Sequence, residues 1–356
     1  SLRLYGAAAL AAGIPLAVSD LPLPATQALA HAERSMDLHI VDAPTQRIRL
    51  VCANPDPFGA GALVDGEALR RRCLTIGSWY WELERPPATW ADHQRLYDAF
   101  WAPTGFVAGA LRQAVDKPVH VLMPPVPVPV VDARFRRADF GLPDHAFVYL
   151  YSFDYLSYAS RKRPEAVVRA FRRAFPRGDE AAALVIKTHR SQLHARAHAS
   201  LLAEAAGDPR IRTIDRALTR AEITALQALS DAYVSLHRSE GLGLGLAECM
   251  ALGKPTIATR WSGNLAFMDD GNSLLVDFQL IDIAPGEYPD AEGQRWADAS
   301  IEHAAVLMRR LHDDRDYAAR LGAAARRDII ARHSPAAVGA RMAALLAEMR
   351  EQPRAD

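Results

Sequence analysis

Ser239-Glu240-Gly241-Leu242-Gly243-Leu244-Gly245-Leu246-Ala247-Glu248 follows an apolar run at 233–236 and leads into a helical pattern that continues to about residue 252. Three glycines at alternate positions let the backbone turn tightly at the carboxyl end of a strand and present amides to an anion. The helix N-terminus that follows adds partial positive charge, so the stretch has the make-up of a phosphate cradle. Ligands of open α/β sheets bind beyond the carboxyl ends of the strands, where this turn falls. The flanking acids need a separate explanation, because a carboxylate beside a phosphate is unfavourable unless it holds hydroxyl groups. Glu240 precedes the cradle and Glu248 lies one turn inside the helix; each can accept charge-assisted hydrogen bonds from vicinal sugar hydroxyls. Taken alone, Glu240 also reads as loop surface and Glu248 as a solvated helix residue.

Around this stretch, short β-type runs at 147–151, 183–187, 211–214, 233–236, 256–258 and 273–276 alternate with helical patterns. That alternation is the signature of βαβ units and a parallel sheet. Over 164–175, Val167, Phe171 and Ala174 fall on one helical face while Arg169, Arg172 and Arg173 stay outside. Thr219, with Glu222 three residues on, predicts a capping box at a helix start. The first half repeats the theme less cleanly, with strand-like runs at 48–52, 73–77 and 119–123 and helical stretches at 2–12, 91–97 and 105–114. The prolines of Pro124-Pro125-Val126-Pro127-Val128-Pro129 cannot donate to a ladder and read as a semi-rigid linker. Ser334 and Pro335 read as N-cap and first residue of a terminal helix running to about Arg350. The expected organisation of the 356 residues is a domain over 1–129, a second over 130–333 and a terminal helix over 334–356.

Lys plus Arg and Asp plus Glu are equal at 42 each, which removes the basic surplus that drives nucleic-acid binding. No apolar run reaches the ~18 residues of a membrane-spanning helix. Cys52, Cys73 and Cys249, odd in number and without metal-ligand spacing, fit a reducing compartment and read as core residues. The cytoplasm is the expected location. His189, His194 and His198 are spaced along one expected helix and read as solvated, and Asp314-Arg315-Asp316 reads as charged surface. No metal site is expected.

With two glutamates separated by seven residues around a Gly-rich turn, the chain resembles the retaining, GT-B-fold glycosyltransferases of family 4. The likeness continues through Glu248-Cys249-Met250-Ala251-Leu252-Gly253-Lys254-Pro255 and Ser262-Gly263-Asn264-Leu265-Ala266-Phe267-Met268, in the manner of bacterial polysaccharide and lipopolysaccharide transferases. The resemblance implies an α/β fold of two Rossmann-like domains facing across a cleft, with the C-terminal helix crossing back to the N-terminal domain. It implies transfer of a hexosyl unit from a nucleoside diphosphate sugar, of UDP or GDP type, to a saccharide or lipid-linked saccharide, with retention and without cofactor or metal. Glu240 would contact the donor sugar, Gly241, Leu242 and Gly243 the sugar and diphosphate, and Glu248 the ribose. A lipid-linked acceptor would suit peripheral contact with the inner face of a membrane through Arg134, Arg136 and Arg137, whose ordinary reading is solvated surface.

Arg161-Lys162-Arg163-Pro164 stands where the family has a Lys that neutralises the diphosphate, so the resemblance assigns Lys162 to catalysis beside Glu240. Only four lysines occur against 38 arginines, and a Lys kept in that background suggests a need for a compact ammonium. Lys187 ends an apolar strand and reads either as a second phosphate contact or as a rim charge. Where many relatives carry Gly-Arg after the first strand of this domain, the chain has Ser152-Phe153-Asp154, and Arg161 is the candidate substitute. Relatives also carry a strand and a Gly-rich loop before the helix that begins here, which implies a shortened acceptor side. Within Ile76-Gly77-Ser78-Trp79-Tyr80-Trp81-Glu82, Trp81 and Glu82 are candidate sugar-lining residues, with a core Trp and an exposed Glu as the alternative.

Three rival functions remain at this level. A dinucleotide-dependent oxidoreductase would need Gly-x-Gly-x-x-Gly and an acid at the next strand end, whereas the chain has Gly241-Leu242-Gly243-Leu244-Gly245 and Thr259-Arg260. A sugar-nucleotide epimerase would share the fold. A degenerate transferase homologue would bind donor without turnover.

Overall fold

Four short apolar runs in the first half of the chain form one parallel sheet in the order β1-β2-β3-β4: β1 (Ile48–Val51), β2 (Leu74–Gly77), β3 (Ala99–Ala102) and β4 (Val119–Val121). The computed structural model describes residues 2–18, 36–40, 45–55 and 73–351. Its contacts divide the chain into two units, Ser1–Pro127 with Ala331–Asp356, and Val128–Ile330. In the first unit all four residues of β3 are buried, and this strand is additional to the expected runs because four residues are too few to show a period. The stretch expected to be helical at 91–97 is a 3₁₀ segment, Ala88–Leu96.

The terminal helix Pro335–Glu351 belongs to this first unit. Ser334 caps it by accepting from the Ala337 amide at 3.3 Å. Val338 and Met342 pack with Tyr5, Ala8 and Ala9 of the Leu2–Ala11 helix and with Ile76, Ala99 and Trp101 of the sheet. The Tyr5 hydroxyl reaches the Leu122 carbonyl at 2.6 Å, so the buried phenol keeps a partner.

The second unit is a six-stranded parallel sheet built from β5 (Phe147–Ser152), β6 (Ala182–Thr188), β7 (Ile211–Asp215), β8 (Ala232–Ser235), β9 (Thr256–Thr259) and β10 (Leu274–Val276). All but the edge strand β7 are buried along nearly their whole length, as strands of a sheet covered by helices on both faces are, whereas β7 keeps Arg212 and Asp215 exposed. The helices Pro164–Ala174, Ala195–Ala205, Arg220–Leu229 and Leu244–Ala251 supply the crossovers. Val167, Phe171 and Ala174 are buried, and the Thr219–Glu222 capping box forms with both reciprocal bonds, at 3.2 and 2.7 Å. The strand order β10-β9-β8-β5-β6-β7 reverses at β5, whose neighbours are β6 and β8. An antiparallel hairpin, β11 (Phe278–Asp282) with β12 (Arg295–Ala299), follows β10 where no strand was expected.

Several local expectations change. Cys249 is a core residue, but Cys52 and Cys73 are half-buried, the Cys73 thiol donating to the Gln46 carbonyl. Only His198 lies within the Ala195–Ala205 helix; His194 precedes it and His189 sits in the loop beside Asp154. Arg137 is no membrane-facing cation, because its guanidinium is spent on Asp231 and on the carbonyls of Pro143, Ala146 and Leu229. Arg134 pairs with Asp132 and stays exposed, as does Arg136. Among the described residues no helix is long and apolar enough to cross a membrane.

Candidate functional site

Where the order of a parallel sheet reverses, the loops leaving the two central strands diverge and open a crevice beyond their carboxyl ends. Here those loops follow β5 and β8. The β5 loop ends in a short turn of helix, Ala159–Lys162, fixed by Tyr151, whose hydroxyl donates to the Lys162 carbonyl at 2.6 Å, and by the Arg238 amide, which donates to the Arg161 carbonyl at 2.8 Å. The β8 loop carries Ser239, Glu240 and the glycines. Residues 78 apart in sequence thus meet: the Lys162 ammonium donates to one Glu240 carboxylate oxygen, and Arg161 ion-pairs with the other at 3.3 Å while donating to the Ser239 carbonyl at 2.7 Å.

Glu240 is 9% exposed and Arg161 3%. Burial by itself would raise the Glu240 carboxyl, but the charges of Lys162 and Arg161 outweigh it and bring the group down to about 2. Two cations face one carboxylate, so the trio keeps a net positive charge where an anion could enter. His237 adds none. Burial pushes its imidazole down to about 4. Because the Asn264 amide nitrogen donates to the Thr259 carbonyl, its oxygen accepts from His237 Nε2, leaving Nδ1 to accept from the Ser235 hydroxyl.

The glycine turn is positioned by its own chemistry and by the loop after β9. Gly243 caps the Leu244–Ala251 helix at φ +87°, a conformation that costs other residues energy. Gly245 sits against the Tyr233 hydroxyl, which bonds Ser152, so this third glycine serves close packing of helix on sheet. Gly263 donates to the Glu240 carbonyl at 2.8 Å, and any Cβ there would lie 2.2 Å from the Gly241 oxygen.

Glu248 is 8% exposed, and its two oxygens are held by Arg220 at 2.6 Å and by Gln227 at 3.0 Å, both from the helix that precedes β8. Neither glutamate is the solvated surface residue that each could be if read alone. Lys187 stands one strand away at the end of β6, its ammonium donating to the Thr188 carbonyl. Burial lowers it to about 8, against the opposing pull of Asp215 and Asp154. Trp81 is buried, packs edge-on against Trp90 and donates to the Arg85 carbonyl, which is the packing of the core alternative; Glu82 is half-buried. Arg260 forms a two-pronged pair with Asp270, which engages the cation an oxidoreductase would offer to an extra phosphate.

Sequence reasoning did not assign Ser262, Asn264, Arg220 or Gln227. Ser262 and Asn264 were legible as small polar residues directly after a strand; Arg220 and Gln227 carried no signal, since their partner lies on a different helix. No group of three His, Cys, Asp or Glu suited to a metal occurs among the described residues.

Two units, each built on a parallel sheet, with the strand order of the second reversing between β5 and β8, have the GT-B fold of the glycosyltransferase structures to which the chain is similar. Residues 154–284, which span the crevice loops and the hairpin's first strand, match the family model described as glycosyl transferases group 1. No curated protein matches the chain significantly. Among solved structures, the chain is similar to TarM of S. aureus, crystallised with UDP, at 13% identity and a TM-score of 0.58, covering 77% of this chain and 51% of that one. It is similar to HepE of Anabaena, crystallised with UDP and glucose, at 16% identity and a TM-score of 0.61, covering 84% and 78%. It is also similar to a glycosyltransferase of Rickettsia africae, at 13% identity and a TM-score of 0.66, covering 99% and 83%. The chain spans about half the length of TarM.

Proposed function

We propose that the chain is a retaining glycosyltransferase of the family 4 type. It would move a hexosyl unit from a nucleoside diphosphate sugar, of UDP or GDP type, to a hydroxyl of a saccharide or lipid-linked saccharide. The observation that carries this reading is the buried Lys162–Glu240–Arg161 trio, net positive and set against the glycine turn at the sheet's reversal point. The group 1 match over 154–284 and the UDP found in TarM and HepE support it.

In this reading the bond between the anomeric carbon and the diphosphate breaks first in importance, and the charge growing on the leaving oxygen must be met by groups already in place. Lys162, Lys187 and the amides of Gly241, Leu242 and Gly243 meet it, with no cofactor assigned. Arg161 holds Glu240 and adds long-range positive potential. Glu240 accepts from hydroxyls of the donor sugar, and Glu248 from those of the ribose. The acceptor hydroxyl attacks from the side the diphosphate leaves, its oxygen bonding to the anomeric carbon as the bond to the diphosphate breaks and its proton passing to the departing diphosphate oxygen, which retains configuration. Location in the cytoplasm, with peripheral membrane contact when the acceptor is lipid-linked, belongs to the same proposal.

Thermal shift with UDP, GDP and NADP, followed by a panel of nucleotide sugars with product anomers read by NMR, tests the reading. Stabilisation by a nucleoside diphosphate and a retained anomer support it. A shift with NADP alone would return the oxidoreductase; isomerised donor without acceptor would indicate the epimerase, and binding without turnover or donor hydrolysis the degenerate homologue.

A further inference from the structure

Ser262 occupies a backbone conformation that side chains avoid. Its φ of 77° and ψ of −147° fall in a region populated almost only by glycine, so a residue with a Cβ is strained there. The residue is 7% exposed, in the loop after β9. Its hydroxyl accepts from the Glu240 amide at 2.8 Å and donates to the Trp261 carbonyl at 2.5 Å. The next residue, Gly263, donates to the Glu240 carbonyl at 2.8 Å. Two consecutive residues of one loop therefore hold both polar groups of the Glu240 backbone. Asn264 ties the same loop to Thr259 and to buried His237.

A glycine at 262 would remove the backbone cost, but glycine has no hydroxyl to offer the Glu240 amide. We infer that Ser262 is a positioning residue for Glu240, its hydroxyl fixing the peptide from which the carboxylate reaches Lys162 and Arg161. The kinetic consequence rests on the proposed transferase reading; the structural one does not. A misplaced carboxylate lets the donor sugar sit out of line while the nucleotide, held elsewhere, still binds.

Two variants test this on the full chain. Ser262→Ala removes the hydroxyl and keeps the backbone strain; Ser262→Gly removes both. With UDP-glucose and GDP-mannose as donor probes, kcat of both variants is expected to fall by about ten- to a hundredfold at unchanged KM and UDP affinity. Ser262→Gly is expected to melt higher than Ser262→Ala, and in a Glu240→Gln background to cause no further loss. Hydrogen exchange at the Glu240 amide is expected to quicken in both. Full turnover in Ser262→Gly would overturn the inference, as would a parallel collapse of stability, nucleotide affinity and turnover, or an additive loss on top of Glu240→Gln. If the wild-type protein turns over neither donor, the transferase reading fails separately and amide exchange decides alone: unchanged protection of Glu240 in Ser262→Gly overturns the inference, and faster exchange there upholds its structural half.

Discussion

Replacing Glu240 with Gln preserves the side chain's shape and removes its charge, leaving Lys162 and Arg161 facing each other without the carboxylate between them. The folded carboxyl sits at about 2 against an ordinary 4.5, a difference that corresponds to ~3 kcal/mol in favour of the folded, ionised state. For a unit the size of Val128–Ile330, each kcal/mol moves Tm by roughly 2–4 °C, so the variant should melt about 6–12 °C lower at pH 7. Because the folded value is depressed, the contribution is complete above the ordinary 4.5 and disappears as pH falls from there through about 2. The Tm gap between wild type and Glu240→Gln should therefore be flat from pH 8 to 5 and narrow below. Ligand binding should move the other way. The diphosphate no longer competes with a carboxylate for Lys162, so UDP or GDP affinity is retained or increased while turnover falls on the order of a hundredfold. Differential scanning calorimetry across pH and isothermal titration with each nucleotide measure both effects. An unchanged Tm at pH 7 would refute the charged trio, and loss of nucleotide binding in step with turnover would refute the assignment of Glu240 to the sugar.

Gly263→Ala places a methyl 2.2 Å from the Gly241 carbonyl oxygen, a backbone atom that has to move; a loss of about 1–3 kcal/mol is expected in urea titration, with turnover falling alongside. Glu248→Ala should weaken UDP binding on the order of tenfold, the worth of a hydrogen bond to a charged group. It should also abolish any preference for UDP over 2′-deoxy-UDP, and a preserved preference would remove the ribose assignment. Lys187 is charged below about 8 and neutral above, so UDP affinity should decline as pH rises through that value; Lys187→Met should bind more weakly at pH 7 and show no such decline. A wild-type affinity that is flat from pH 7 to 9 would take Lys187 out of the site.

Much of the fold was legible because its signals are local. The apolar runs at 147–151, 183–187 and 211–214 became β5, β6 and β7 within a residue or so of their ends, and Thr219 with Glu222 marked a helix start that the structure caps as expected. What escaped was either too short to show a period, as with β3, or of a different kind from its surroundings, as with the β11–β12 hairpin. The glycine turn stood out because three glycines after a strand have few other uses, although Gly245 proves to serve packing against Tyr233.

The sequence by itself determined that parallel βαβ units are present and that a glycine turn opens the Leu244–Ala251 helix, and it marked Lys162, Glu240 and Glu248 as candidates for a donor site. Only the tertiary structure decided which of them meet. Strand periodicity reports a residue's face and says nothing of its neighbouring strand, so the pairing of β5 with β8, which brings Lys162 and Arg161 onto Glu240, lies outside any local pattern. The same holds for Ser262 and Arg220, which touch the two glutamates from elements remote in sequence and became visible once the sheet order was known.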